Sequence, residues 1–255
     1  MESLFCPSSV EYWNQRYLEL VMLCYSNKPF RNSAPYDWYN EWPALKPHLP
    51  VELKESSHVL HIGCGTSRLG QALFDEGVRD VKNIDTSVSC IKAMKDLYPY
   101  LDYEVMDATE IGTLLPELSY DIVIDKGCMD TVLCSENFDV LVPKMLEGIH
   151  RVLRDSGVLM VVSVGCPANR MMYLETSGLW SVTVARIPKR HIELIDAGEL
   201  SVNLSPCSPS DDLCEKYFDG ASDGSHTASA NEQADFSALL DERRHHFIYI
   251  CAKVG

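Results

Sequence analysis

The chain has 255 residues, of which 46% are hydrophobic, and its 22 Lys and Arg against 37 Asp and Glu give a formal net charge of −15. This share of apolar residues is enough for a folded core, so the composition excludes a generally disordered chain. The acidic balance argues against a protein that binds nucleic acid through its net charge, because such binding needs Lys and Arg to neutralise phosphates. It favours instead the approach of a basic protein or a cationic small molecule.

Neither membrane insertion nor export is expected from the sequence. The longest strongly apolar stretch, residues 158–164, is far shorter than a membrane-spanning helix, and the N-terminus lacks a basic region followed by a long apolar run. The ten cysteines are scattered, without a CxxC pair or a Cys and His cluster at zinc spacing. We therefore expect reduced thiols, no metal site and a cytoplasmic protein.

Apolar runs and helical patterns alternate along the first two thirds of the chain. Strands are predicted, in chain order, at residues 58–63, 81–85, 101–107, 120–127 and 158–164. Helices are predicted from the spacing of apolar residues at 67–76, 87–97 and 142–153. This alternation predicts βαβ units, and therefore an α/β fold: a doubly wound, Rossmann-like and mostly parallel sheet with helices on both faces.

The end of the chain breaks this alternation. Two further strands are predicted at residues 180–188 and 245–254, with no helical crossover pattern between them. Their connection, residues 189–244, is long and rich in Ser, Asp, Ala and Gly, so we expect a partly disordered acidic insertion. The two strands would form an antiparallel hairpin and complete a seven-stranded sheet. The predicted domains are an N-terminal aromatic cap segment, residues 1–57, and an α/β domain, residues 58–255.

The sharpest motif is HIGCGTSRLG at residues 61–70, directly after the first predicted strand. Gly63 and Gly65 allow a tight turn and the close approach of a ligand to the backbone, and Gly70 allows the next helix to pack closely on the sheet. Asp85 ends the second strand, where a carboxylate can accept both hydroxyls of a ribose. This arrangement is typical of nucleotide binding in a doubly wound sheet. The alternative is a tight βα turn beside acids that only cap strands.

What the glycine motif lacks narrows the choice of nucleotide. A dinucleotide fingerprint would place its third glycine at position 68, which is Arg68, and the sequence has no GxxxxGK[ST] phosphate loop. Asp107 ends the third strand, where it can meet the amino group of an adenine. The sequence thus offers one acid for a ribose and one for an adenine, but no loop that would bind phosphates. This combination predicts a nucleoside without phosphate, and S-adenosylmethionine fits best.

The order of five motifs resembles that of the class I, seven-β-strand methyltransferases: HVLHIGCGTS, NIDTS, VMDAT, YDIVIDKG and GVLMVVS. Three further elements, EYWNQRY at residues 11–17, APYDWY at 34–39 and DKGCMD at 125–130, narrow the resemblance to the methyltransferase-like 13 group and its neighbours. That group includes lysine methyltransferases of translation elongation factor 1-alpha. The sequence departs from the pattern in two features: Thr66 stands where Asn is typical, and the acidic insertion has no counterpart.

The resemblance implies a set of residues that bind S-adenosylmethionine: aromatic side chains at its methionine end, acids with their neighbours at its ribose and adenine, the glycine turn, and a lysine at the end of the fourth strand. The implied residues are Trp13, Tyr17, Trp38, Gly63, Gly65, Asp85, Thr86, Asp107, Ala108 and Lys126. Aromatic faces suit the methionine end because they stabilise a sulfonium cation by cation–π attraction. The four-residue spacing of Trp13 and Tyr17 fits equally well an amphipathic N-terminal helix that packs on the domain.

Methyl transfer to a lysine needs the loss of a proton from the amine, whose ordinary pKa is about 10.4. Asp125, at the carboxyl end of the fourth strand, is the first candidate for this acid–base role, and Asp130 is the second. The alternative for Asp125 is a carboxylate that anchors the βα loop.

The sequence therefore predicts an S-adenosylmethionine-dependent protein lysine methyltransferase that acts on elongation factor 1-alpha or another basic protein. Two alternatives stay open. One is a small-molecule or non-lysine methyltransferase on the same core. The other is a catalytically silent module that binds the cofactor.

Overall fold

The computed structural model describes residues 9–25, 37–175, 178–189 and 244–254. Seven strands form one sheet: β1 His58–Ile62, β2 Asp80–Asp85, β3 Asp102–Val105, β4 Tyr120–Lys126, β5 Leu153–Ser163, β6 Trp180–Pro188 and β7 His245–Lys253. Their order across the sheet is β3-β2-β1-β4-β5-β7-β6. The neighbours from β3 to β5 pair in parallel, whereas β7 runs antiparallel to β5. The predicted mostly parallel sheet with a C-terminal antiparallel hairpin is confirmed.

The order of the strands fixes where a ligand can bind. From β1 the chain proceeds to β2 and β3 on one side of the sheet, and then crosses back to β4 and β5 on the other side. The loops that follow β1 and β4 therefore leave the sheet in opposite directions and open a crevice at the carboxyl edge of these two strands. Ligands of doubly wound sheets bind at this switch point.

Eight α-helices lie among the described residues: α1 Val10–Tyr25, α2 Trp42–Leu45, α3 Leu69–Asp75, α4 Val88–Leu97, α5 Ile111–Leu114, α6 Cys128–Val132, α7 Phe138–Val152 and α8 Pro167–Leu174. The predicted start of α7 at residue 142 is wrong, because the helix begins four residues earlier and Pro143 lies inside it rather than in its first turn. The prediction placed Pro143 in the first turn, where proline is usual, and so left out Phe138, Val140 and Leu141, although they carry an apolar signal. Pro143 has no backbone N–H to donate to the preceding turn of the helix. That turn is exposed, so water can satisfy the carbonyl that is left without a donor.

Apolar side chains cover both faces of the sheet, because successive residues of a strand point to opposite sides. One face packs on α7, and its buried side chains include Leu60, Ile62, Val123, Met145 and Ile149. The other face packs on α2 and α3, and its buried side chains include Val59, Ile122, Ile124, Leu45 and Leu73. A third cluster joins α1 to α4. The helices thus lie on both faces, as predicted.

Gly70 brings α3 close to the sheet. A Cβ atom at this position would lie 2.7 Å from Oδ1 of Asn83 on β2, closer than any real contact. A residue with a side chain at position 70 would therefore clash with Asn83 unless the helix moved away from the sheet. This agrees with the close helix packing predicted for the last glycine of the motif.

By its internal contacts the chain divides into two units, Met1–Ile187 with His246–Gly255, and Pro188–His245. Residues 190–243, which make up nearly all of the predicted insertion, lie outside the described residues. The predicted boundary between residues 57 and 58 stays a prediction. None of the six cysteines whose side chains are described takes part in a disulfide. Among the described helices, none combines the length and the apolar character needed to cross a membrane.

Candidate active site

The turn after β1 is shaped by two glycines in left-handed backbone conformations. Gly63 has φ +56° and Gly65 has φ +50°. A Cβ atom at Gly63 would lie 2.7 Å from Cβ of Cys128, and one at Gly65 would lie 2.6 Å from the hydroxyl of Tyr17. Both the backbone angle and the neighbours therefore require glycine. The predicted tight turn is present, and it leads directly into the switch point of the sheet.

Asp85 holds this turn to the end of β2. Its carboxylate accepts the N–H of Gly65 at 2.9 Å and the N–H of Ser87 at 2.9 Å. The residue is only 8% exposed, and this burial raises the pKa of its carboxyl, an effect that the two N–H donors offset in part. Each carboxylate oxygen can accept a second hydrogen bond. Asp85 can therefore hold the turn and still receive hydroxyl donors from a ligand, with half-buried Thr86 beside it.

Asp107 lies at the same edge of the sheet as Asp85, because the N–H of Met106 donates to the carbonyl of Asp85 at 3.0 Å. One carboxylate oxygen of Asp107 accepts both the N–H of Thr109 at 2.8 Å and its hydroxyl at 2.9 Å. The side chain is exposed, while the next residue, Ala108, is buried. The sequence thus places an accessible carboxylate and a small apolar residue beside the glycine turn.

Three aromatic side chains meet next to Gly65. Trp13 and Tyr17 of α1 stack with ring centroids 5.6 Å apart and planes tilted by 26°. Trp38 meets Trp13 edge-on at 6.2 Å and 82°. Asn14 of the same helix accepts the hydroxyl hydrogen bond of Ser87 at 2.8 Å, which fastens α1 to the turn after β2. The structure therefore unites the three predicted aromatic residues, and it also shows the N-terminal helix packed on the domain.

Lys126 forms a buried ion pair at the end of β4. Its ammonium donates to Oδ1 of Asp37 at 2.8 Å and to the carbonyl of Trp38 at 2.7 Å. The side chains of Lys126 and Asp37 are 2% and 9% exposed. Burial lowers the pKa of Lys126, and the Asp37 charge restores only part of it. For Asp37, burial alone would raise the pKa, but the Lys126 charge and the hydrogen bonds to this carboxylate outweigh it, and the pKa lies below its ordinary value.

Sequence reasoning missed Asp37, although a signal was present. A lysine that ends an apolar strand must find a carboxylate, and APYDWY contains a single acid. Asp37 also accepts the N–H of Arg68 at 3.1 Å and the hydroxyl hydrogen bond of Ser67. It therefore joins the aromatic motif, the glycine motif and the DKG motif through one carboxylate.

We call residues 37–40 the strap, because each of them is anchored to a different part of the site. Beyond the contacts of Asp37 and Trp38, the hydroxyl of Tyr39 donates to Asp130 at 2.6 Å. Asn40 Oδ1 lies 2.7 Å from Nδ1 of His246 on β7. Tyr39 has φ +64°, a left-handed conformation that costs a non-glycine residue roughly 1–2 kcal/mol. Strain of this kind persists only where the surroundings fix the backbone, as these anchors do.

Asp125 is 1% exposed and lies at the end of β4. Its two oxygens accept the N–H groups of Cys128 at 2.8 Å and Met129 at 2.9 Å. Burial, with the nearby charge of Asp130, raises the pKa of Asp125 to about 7. These contacts support the role of an anchor for the loop between β4 and α6. The acid–base role of Asp125 stays a prediction.

Asp130 also serves as a junction. Its carboxylate accepts from the hydroxyls of Tyr39 and Ser163, from the N–H of Val164 at 3.1 Å, and from the guanidinium of Arg170 at 2.9 Å. The partners come from the strap, the end of β5 and α8. Because Arg170 neutralises this carboxylate within the protein, its contacts describe a positioning residue, and an acid–base role for it stays a prediction.

His61 is a further buried polar residue that sequence reasoning did not single out. It lies on β1, is 1% exposed, and its Nδ1 is 3.1 Å from Oδ1 of Asn83. Asn83 donates from its own nitrogen to the carbonyl of Asp102 at 3.1 Å, so its oxygen accepts and Nδ1 of His61 carries the proton. Burial, with the charge of Lys126, lowers the pKa of His61 to about 4. The ring is therefore neutral at physiological pH.

Among the described residues, no group of three or more His, Cys, Asp and Glu side chains could hold a metal ion.

Comparison with known proteins points to one enzyme class. A family model described as a methyltransferase domain matches residues 53–195. The EEF1A lysine methyltransferase 4 of Bos taurus is 33% identical over 171 residues, which are 66% of this chain and 61% of that protein. The eEF1A lysine and N-terminal methyltransferase of Homo sapiens is 33% identical over 162 residues, 61% of this chain but 21% of that protein. The chain thus spans about three fifths of the length of the first relative and about one fifth of the length of the second.

A solved structure shares the fold. The TehB-like SAM-dependent methyltransferase from Corynebacterium glutamicum superposes with a TM-score of 0.51 at 16% identity, and the match covers 96% of this chain and 98% of that one. At this level of identity the similarity concerns the arrangement of helices and strands.

Proposed function

The chain belongs to the methyltransferase-domain family and uses S-adenosylmethionine, and from that premise we propose that it is a protein lysine N-methyltransferase whose substrate is elongation factor 1-alpha or another basic protein. The observation that carries this proposal is the 33% identity to a protein named as a lysine methyltransferase of EEF1A, over 66% of this chain. The family resemblance predicted from the motifs is confirmed. What we propose beyond membership of the family is that the methyl group is transferred to a lysine.

The residues at the switch point fit S-adenosylmethionine. Gly63 and Gly65 allow the tight turn that brings the backbone to the switch point, and Asp85 retains capacity to accept hydroxyl donors. We assign Asp85 and Thr86 to the ribose, and Asp107 and Ala108 to the adenine. We assign the three aromatic side chains beside Gly65 to the methionine end: Trp13, Tyr17 and Trp38. When bound, the cofactor supplies a methyl group that its positive sulfur has already activated for transfer.

The protein's share of the reaction is then to orient the acceptor and to exclude water. We expect the rings of Trp13 and Trp38 to attract the sulfonium by cation–π interaction and to shield it from solvent. The ion pair of Lys126 with Asp37 keeps the strap, and with it Trp38, against the glycine turn. We propose that a lysine reaching this aromatic surface is partly desolvated, which lowers its pKa and favours the neutral, nucleophilic amine.

The net charge of −15 supports a basic partner. A field of this sign draws a cationic protein toward the enzyme over about 8–10 Å at moderate ionic strength. The cytoplasm, where translation takes place, is the proposed location.

Labelled S-adenosylmethionine, supplied with purified elongation factor 1-alpha and separately with a cell lysate, tests this function. We expect label on a lysine side chain, located by peptide mass spectrometry, and no label when that lysine is replaced by arginine. The chain with Asp85→Ala serves as the control with a damaged cofactor site. Label confined to small molecules or to another residue type would overturn the lysine assignment and leave the methyltransferase intact.

A further inference from the structure

Four of the described cationic side chains belong to the segments that build the site, and two of them form ion pairs with carboxylates. Lys126 pairs with Asp37, and Arg170 pairs with Asp130. Arg68 is exposed at the start of α3, where its charge acts on Tyr98 of α4. The fourth, Arg16, lies on α1 between Trp13 and Tyr17 in sequence and among the aromatic side chains in space.

The guanidinium of Arg16 lies 5.7 Å from the centroid of the Trp38 ring, in cation–π contact. The side chain is half-buried. Among the residues whose side chains the structure describes (9–18, 37–175, 178–189 and 244–254), no carboxylate forms an ion pair with this guanidinium. A guanidinium stacked on a ring uses its flat face, so its N–H donors at the edge stay available for a partner.

The aromatic side chains that border Arg16 continue to the glycine turn. Trp38 meets Trp13, Trp13 stacks on Tyr17, and the hydroxyl of Tyr17 lies against Gly65. The methionine end of the cofactor carries a sulfonium, an ammonium and a carboxylate. Aromatic faces suit the two cations, but they repel an anion. A carboxylate in this surface needs a positive partner, and Arg16 supplies one.

We propose that the edge of the Arg16 guanidinium binds the carboxylate of the methionine end of S-adenosylmethionine, while Trp38 supports its flat face. Two parallel N–H donors fit the two oxygens of a carboxylate, which gives direction as well as charge. This inference rests on the cofactor of the proposed function and not on the lysine acceptor. It assigns to α1 a polar contact in addition to its aromatic ones.

The test compares two ligands that differ in one group: S-adenosylhomocysteine and its decarboxylated analogue, measured by calorimetry without any acceptor. We expect the unaltered chain to bind S-adenosylhomocysteine about tenfold more tightly, the size of one charge-assisted interaction. Arg16→Gln should weaken the binding of S-adenosylhomocysteine by about the same factor and leave the affinity for the analogue unchanged, so the preference disappears. Arg16→Lys, which keeps the charge but loses the paired donors, should retain part of the preference.

Arg79→Gln is the matched control. Arg79 also stacks on an aromatic ring, at 4.4 Å from the centroid of Phe74, but it follows α3 and donates to the carbonyl of Phe74 at 2.8 Å. The Arg79→Gln variant should keep its affinity for both S-adenosylhomocysteine and the decarboxylated analogue. Thermal unfolding of the unliganded variants verifies that each one is folded.

Two results would overturn the proposal. One is that Arg16→Gln loses affinity for both ligands equally, which would indicate a packing role. The other is that it loses affinity for neither ligand. Neither result touches the lysine assignment, which the labelling experiment decides. Conversely, a chain that methylates a small molecule can still show the full Arg16 effect.

Discussion

The two sides of the switch point are built in different ways. On the side of β1, β2 and β3, carboxylates receive backbone N–H groups from residues nearby in sequence, as Asp107 does from Thr109, or from the adjoining turn, as Asp85 does from Gly65. On the side of β4, β5 and β7, Asp125 also accepts N–H groups from the adjoining loop, but other side chains bond to side chains that are remote in sequence. Lys126 and Asp37 are 89 residues apart, and Tyr39 and Asp130 are 91 apart. The first side keeps acceptors for a ligand, whereas the second satisfies its polar groups internally and fixes the shape.

The largest effect is expected from breaking the second side. Lys126→Met leaves the Asp37 carboxylate buried without its counter-charge, which should lower the free energy of unfolding by about 3–5 kcal/mol. Urea unfolding measures this. The double variant Asp37→Asn with Lys126→Met should recover much of the loss, because it removes the unpaired charge.

Lys46→Met provides the matched control for that experiment. Lys46 pairs with Glu76 at 2.9 Å on the surface, so its replacement should change the free energy of unfolding by less than about 1 kcal/mol. A Lys126 variant as stable as the Lys46 variant would contradict the structural importance of the strap.

The next largest effect is a pH dependence that originates at His61 on β1, the strand of the first side that adjoins β4. Its pKa is about 4 in the folded protein and 6.5 ordinarily, so the unfolded chain binds an extra proton between these values. The stabilisation is present above pH 6.5 and is lost as the pH falls toward 4, by roughly 3 kcal/mol. Urea unfolding of the unaltered chain and of His61→Gln at several pH values should show a shallower dependence in the variant. Identical slopes would exclude His61 as the origin.

On the first side, Asp85→Ala should weaken binding of S-adenosylhomocysteine by tenfold or more. It removes a charge-assisted acceptor, which contributes about 1.5–3 kcal/mol, and frees the turn at Gly65. Calorimetry measures the affinity. Asp80→Ala, at the opposite end of β2 and paired with His58 on the surface, should leave it unchanged. Equal affinities of the two variants would show that Asp85 only ends a strand.

A smaller effect separates the two readings of Asp125. If the carboxylate takes up the proton of the acceptor, Asp125→Asn should lower turnover about tenfold at saturating cofactor while the affinity for S-adenosylhomocysteine changes little. Turnover should also rise with pH as the amine loses its proton. If Asp125 only anchors the loop to α6, the variant should instead lose stability, since one of its two N–H donors loses its acceptor. Turnover kinetics and urea unfolding on one preparation distinguish these outcomes.

The smallest effect concerns the approach of the substrate. Raising the salt concentration should increase the KM for a basic protein a few-fold and leave turnover at saturation nearly constant, because screening weakens long-range attraction. Steady-state kinetics with a protein acceptor measure it. A KM that ignores salt would favour the small-molecule alternative.

The same contrast explains how far the sequence could be interpreted. The glycine turn, Asp85 and Asp107 follow strands directly, so their shared position at the sheet edge could be predicted from the alternation of strands and helices. The pairing of Asp37 with Lys126, and of Asn40 with His246, depends on how distant segments meet, and no local pattern encodes it. The extent of α7 was missed for a different reason, since its start was set by the usual place of proline in a first helical turn, and this helix holds Pro143 in its interior.

The position of β7 between β5 and β6 has a consequence for synthesis of the chain. The ribosome makes β5 and the strap long before it makes residues 245–253, yet β7 pairs with β5 from Val158 to Ser163. His246 reaches back 206 residues to Asn40. Until that last strand emerges, the nascent chain has an open edge at β5 and lacks one anchor of its strap. Ribosome-bound chains that end before residue 245 should therefore be more susceptible to proteases than chains that extend past residue 253.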